Sequence, residues 1–279
     1  MTHNQGSAKA VSRRRLLRAG TLGAGALAVR GILPAWASGE KAKSCILTPE
    51  LTAGPYYVDH ALVRKDIREG KPGIPLHLRI AIVDIRTCTP LTGVAVDIWH
   101  CDADGVYSAY SKYSPDSAEI FKTIPPPSPS NPNPKLPRTD QQTFLRGVQL
   151  SDGSGVAEFN TIYPGWYVTR DTHIHMEIHA GGHAGRDYQG GHVCHIGQLG
   201  FDDHVSDAVG RLQPYAKHKM PRTRLEEDSV FKAPLGPDML LQLEPLSKAN
   251  LSTGFRGTIT VAVDPSVTPR KILAGPRTA

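Results

Sequence analysis

Tyr163-Pro-Gly-Trp-Tyr167, followed six residues after Tyr167 by His173-Ile-His175, sets phenols and imidazoles where they can close on one metal ion. A ligand set with tyrosine, two histidines and no carboxylate points to ferric iron, whose hard charge suits anionic phenolate oxygen. In a strand, His173, His175, Glu177 and His179 share one face, while Ile174, Met176 and Ile178 take the other. Neighbours on one face stand roughly 6.6 Å apart, close enough for two imidazoles to share an ion between them. His-x-His alone also fits two solvated strand residues, so the tyrosines carry the metal reading. A further one, Tyr107, follows Trp99-His100-Cys101, with Asp102 to Gly105 reading as a turn.

The elements that must hold these side chains read as strands. Leu76, Leu78, Ile80 and Ile82 alternate with His77, Arg79, Ala81 and Val83, predicting a strand with one apolar face. Thr89 to Gly93 reads as a turn and Val94 to His100 as the next strand, so a hairpin is expected here. Phe144 to Leu150, the turn Ser151 to Gly155, and Val156 to Ile162 predict a second hairpin. His173 to Ala180 alternates, and Phe255 to Val263 is a β-branched run. Only Ser206 to Tyr215 reads as a short helix. Pro125 to Pro137 holds seven prolines and predicts an irregular surface loop. Short strands punctuated by Gly/Pro turns predict an all-β fold, a sandwich of mainly antiparallel strands with long loops. One such domain is expected over 38–265, with 266–279 as a tail.

Residues 1–37 read as an export leader. Ser12-Arg-Arg-Arg-Leu-Leu-Arg18 fits the twin-arginine pattern, a weakly apolar run follows, and Ala35-Trp-Ala37 supplies small residues for cleavage. The apolar run is too short for a permanent span. The leader holds six basic residues and no acidic one, so its removal leaves 26 Lys+Arg against 26 Asp+Glu. A near-neutral mature chain offers no basic surface for nucleic acid. Twin-arginine export fits a protein that acquires a cofactor before translocation to the periplasm or beyond. Cys45, Cys88, Cys101 and Cys194, an even count in an exported chain, predict two disulfides of open connectivity. His179, His183, His192, His195 and His204 form a loose cluster in which a second metal site is conceivable.

At Trp99 with Gly105-Val-Tyr107, Thr161 to Tyr167, and Arg170-Asp-Thr-His173-Ile-His175, the chain resembles the intradiol ring-cleavage dioxygenases, the catechol and protocatechuate family. Gly54-Pro55-Tyr56 resembles that family's substrate-side segment. Gln198-Leu199 resembles its Gln-containing strand, and Phe255 to Pro265 its last strand. The resemblance spans about residues 45 to 265. It implies Fe(III) held by Tyr107, Tyr167, His173 and His175 with a solvent hydroxide. It further implies a catechol-type substrate cleaved by O2 between its hydroxylated carbons. On this reading Tyr167 is the displaced phenolate and acts as base, Arg170 stabilises developing negative charge, and Gln198 supports the site. Gly54, Pro55 and Tyr56 would border the substrate. Tyr163, Trp166 and Tyr57 are read as packing residues, and His100 as structural. The short spacing from Tyr167 to His173 and the extra region Gly181 to Gly191 depart from the soluble enzymes. No helical dimerisation region is visible, so no oligomeric state carries over. Two other functions fit parts of the pattern: a cupin-like or copper site on histidines, and a secreted carbohydrate-binding sandwich.

Overall fold

A computed structural model describes residues 46–269, apart from 60, 127, 132–133 and 233–235. The leader, its cleavage site, Cys45 and the end of the tail lie outside the described residues. In chain order the regular elements are β1 (Pro75–Asp84), β2 (Thr89–Pro90), β3 (Ala95–Trp99), α1 (Glu119–Lys122), β4 (Arg146–Leu150) and β5 (Val156–Ile162). There follow β6 (His173–Ala184), β7 (Tyr188–Gly200), α2 (Asp203–Gly210), β8 (Gln242–Pro245) and β9 (Phe255–Val263).

The strands form two sheets. The first runs β2-β1-β9-β8 with β5 also paired to β1, and the second runs β4-β3-β6-β7. Only β1 and β9 are parallel; the other pairs are antiparallel. The fold is thus the expected all-β one. Leu76, Leu78, Ile80 and Ile82 of β1 are fully buried and meet Val96, Ile98, Ile174, Met176 and Ile178 from the second sheet in one core. Alternation on each strand decides this, because a period of two sends every second side chain inward.

Neither expected hairpin forms. β1 lies in the first sheet and β3 in the second; β4 lies in the second and β5 in the first. The turns at Thr89 to Gly93 and Ser151 to Gly155 instead carry the chain from sheet to sheet. Hydrogen bonds join these crossings to each other, Gly93 N to Ser151 O at 3.0 Å and Ser151 N to Val94 O at 2.9 Å. The short helix begins earlier than expected, at Asp203, where the Asp202 side chain caps the amides of His204 and Val205. The segment Gly181 to Gly191 forms the outer end of the β6–β7 hairpin.

Cys101 and Cys194 are free and buried, which overturns the expectation of two disulfides. Cys101 packs with Trp99 and Tyr107, so burial in apolar surroundings explains its place without a bridge. Cys45 and Cys88 are the one pair left. No helix of the described residues is long and apolar enough to cross a membrane.

Candidate metal centre

The site sits on the outer face of the second sheet, opposite the core. Trp99, His175 and Gln198 lie side by side across β3, β6 and β7. Loops roof this face with a second apolar cluster that includes Ala53, Tyr56, Trp99, Tyr107, Tyr110, Tyr167 and Ile196. The indole of Trp99 stacks flat on the His175 ring, centroids 5.0 Å apart and 2° from parallel. Tyr56 stacks on Tyr107 at 4.2 Å. Gly54 backs onto His175, where a Cβ would lie 3.0 Å from Cε1. The four expected ligands therefore have their rings fixed by neighbours on more than one side.

Two turns deliver the phenols. Tyr107 follows a turn closed by Asp102, whose Oδ1 accepts from Asp104 N and Val106 N at 3.0 Å. Tyr167 ends the Pro-Gly turn. The two turns lock through reciprocal glycines. A Cβ on Gly165 would lie 2.6 Å from the carbonyl oxygens of Asp102 and Ala103, and one on Gly105 would lie 2.3 Å from Trp166 O. Gly165 N donates to Asp102 O at 3.1 Å.

His173 Nε2 is the meeting point. Tyr167 Oη lies 3.2 Å from it, Tyr107 Oη 3.3 Å and His175 Nε2 3.1 Å. His173 Nδ1 lies 2.6 Å from Asp171 O and donates to it, which leaves the Nε2 lone pair facing the cluster. Burial holds both imidazoles well below their ordinary pKa, pushes the Tyr107 phenol well above its own, and lifts Tyr167 to about 12. A cation among them reverses the balance for the phenols, since bound metal favours their anions. One acceptor nitrogen crowded by three polar atoms is a donor set that a single ion satisfies. Two phenols and two imidazoles fit Fe(III). Among the described residues, no group of three or more His, Cys, Asp or Glu side chains is placed to hold a metal. Neither the copper-type alternative nor a second site in the 179–204 histidine cluster finds its ligands.

Arg170 and Gln198 meet beside the phenols. Arg170 Nη2 donates to Gln198 Oε1 at 2.5 Å, and Gln198 Nε2 donates to Thr52 O at 2.6 Å. The Arg170 cation also draws the Tyr167 phenol back down against its burial. Gly54 and Tyr57 line a cavity of about 360 Å³ with Glu177, Val193 and Ile196. Tyr163 lies in the sandwich core with its hydroxyl 2.8 Å from Ser206 Oγ, and Trp166 Nε1 donates to Met220 O, so both pack as expected. His100 is wholly buried between Cys101 O and Thr161 Oγ1, each 2.7 Å away, a structural histidine. Sequence reasoning missed Asp171, Arg222 and Asp228. Arg222 bridges Asp171, Asp203 and Asp207, tying the Arg170–His173 segment to α2. Asp171 sits inside the Arg170–His173 motif, but no motif spacing marks Arg222 or Asp228, which reach it from more than fifty positions away.

No protein-family model matches the chain, and no curated protein matches it. Solved structures do. An intradiol ring-cleavage dioxygenase from Tetranychus urticae is 30% identical over 82% of this chain and 100% of that one, with a TM-score of 0.67. A second dioxygenase structure is 31% identical over 83% and 100%, with a TM-score of 0.68. The dioxygenase domain of a carbohydrate-binding fusion from Streptomyces sp. SirexAA-E, 23% identical over 78% and 99% at a TM-score of 0.50, shares the fold. With its motifs in order, its sandwich matched and its phenols and imidazoles gathered on one face, the chain belongs to the intradiol ring-cleavage dioxygenases, a family of oxidoreductases.

Proposed function

We propose that the protein is a non-haem Fe(III) dioxygenase that cleaves a catechol between its two hydroxylated carbons. That carbon–carbon bond breaks and each carbon gains one oxygen atom of O2, giving a cis,cis-muconate-type diacid. The observation that carries this reading is the approach of Tyr107 Oη, Tyr167 Oη and His175 Nε2 to within 3.1–3.3 Å of His173 Nε2. Tyr107, Tyr167, His173 and His175 hold the metal. Ferric iron there supplies the positive charge that ionises phenols and the redox chemistry that opens the ring to O2.

The chain's own groups do the rest. Asp171 O fixes His173 in the tautomer whose Nε2 is a ligand. Trp99 and Tyr56 pin the His175 and Tyr107 rings and exclude water from that side. Tyr167 Oη accepts a proton from the incoming catechol hydroxyl, leaving Tyr107 as the retained phenolate. Arg170 supplies a fixed cation for negative charge that develops on the ring. Gln198 holds that cation in place. Gly54, Pro55 and Tyr56 are assigned the substrate side on the family resemblance; of these, Gly54 lines the cavity.

The leader reading makes this an exported enzyme, periplasmic or extracellular. The test is direct. Purified protein should contain iron and be red-brown from tyrosinate charge transfer. Catechol added without air should change that spectrum, and air should then start oxygen uptake with formation of a muconate-type product. Colourless, iron-free protein that consumes no oxygen with a panel of catechols would sink the proposal.

A further inference from the structure

Asp228 lies beyond every motif of the sequence, and it is completely buried. Its Oδ2 accepts from Arg170 Nε at 2.9 Å and from Asp171 N at 2.8 Å. Its Oδ1 accepts from Val230 N at 2.8 Å and Phe231 N at 3.3 Å. Closing the turn at 228–231 needs only Oδ1. The second oxygen is turned to the segment that carries the arginine and the metal-ligating histidines.

Two consequences follow from the bonds themselves. The Arg170 guanidinium is held at both ends, Nε by Asp228 and Nη2 by Gln198, so its plane and position are fixed. A planar fork gripped at two nitrogens cannot swing as a lysine ammonium can. Asp228 also grips Asp171 N, and the carbonyl of the same residue receives His173 Nδ1–H. One carboxylate therefore touches the arginine directly and reaches the histidine ring through a single residue.

We propose that Asp228 is a positioning residue for ring cleavage, setting where the Arg170 cation stands against the charge that builds on the substrate. The inference rests on the catechol-cleavage reading above. Its test is a double-mutant cycle of Asp228→Asn and Arg170→Gln. Each form is measured for iron content, melting temperature, nitrocatechol affinity by absorbance, and steady-state kinetics with catechol. The Asp228→Asn side chain must turn its amide N–H towards one of the two donor pairs, and in either orientation the negative charge beside Arg170 is lost, which loosens the grip on the guanidinium. Asp228→Asn should keep its iron and bind nitrocatechol within about threefold of wild type, while kcat falls about 10- to 100-fold, the penalty of a misplaced group. In the Arg170→Gln background the same change should add almost nothing, because Asp228 acts through Arg170. A purely structural carboxylate would instead lower iron content, affinity and kcat together, and its effect would multiply with that of Arg170→Gln; either result overturns the proposal. If Asp228→Asn does not fold, Arg170→Lys poses the same question. It keeps the charge but loses the two-ended grip, so wild-type kcat in that variant also overturns it. Iron-loaded wild type that cleaves no catechol overturns the catechol reading itself, and this inference with it.

Discussion

Tyr107 and His100 are buried in the same stretch of chain, and both carry a group able to bind metal. Only Tyr107 brings its oxygen to the cluster; both His100 nitrogens are already engaged. The two should therefore fail differently. Tyr107→Phe should lose the charge-transfer colour and turnover together, read by visible absorbance and oxygen uptake. His100→Ala should cost about 2–4 kcal/mol in denaturant unfolding, a cavity plus an unpaired Thr161 hydroxyl, while its folded fraction keeps iron. At this scale much was legible in the sequence. The alternation through His173 and His175 told which side chains share a face, and the second tyrosine came from a turn motif. Asp228 was not legible, because a partner 58 positions from Arg170 leaves no local pattern.

The strands themselves could be read from alternation, but not the sheet to which each belongs. A turn rich in Gly and Ser reverses the chain equally well within a sheet or between two, and an apolar face finds a core in either case. Ser151 to Gly155 is such a turn, and the chain crosses there. The two phenol-bearing turns add a constraint that no strand pattern contains. Main chain meets main chain at Gly165 and Gly105, so backbone contact sets the spacing of the two turns from which the phenols hang. Gly165→Ala forces a methyl against two carbonyl oxygens. It should destabilise the protein by about 1–3 kcal/mol, the range for overpacking, and weaken iron retention during dialysis against a chelator. A melting curve and metal analysis check both.

For the whole molecule, acid is the expected weak point of the metal-free form. His195 is buried in β7 with no partner for Nε2, and burial lowers its pKa to about 4. His100 is lowered to about 4 as well, chiefly by burial. The unfolded chain takes up these protons near pH 6.5, the native state only near 4, so the unfolded state binds more protons in between. The stability these neutral rings allow is complete above about pH 6.5 and is lost as pH falls towards 4, by about 3 kcal/mol for a fully buried ring. His195→Met should flatten that loss in unfolding curves at pH 7 and pH 5; an unchanged slope would remove His195 from the account. The sandwich class was visible in the sequence. The docking of two sheets that brings residues 107 and 167 together was not, since it depends on contacts between distant segments.

The outer-face location of the centre divides its ligands between two kinds of support. The imidazoles stand on β6, which is hydrogen-bonded on both edges; the phenols hang from loops above it. Loops open at lower free energy than central strands. Loaded with metal as proposed, this centre would act as a fuse for the molecule. In rising denaturant the colour should fade before the far-ultraviolet strand signal, and dilution at that stage should restore it without refolding the sandwich. Chromophore and scaffold that melt at one midpoint would mean that roof and sheet form a single cooperative unit.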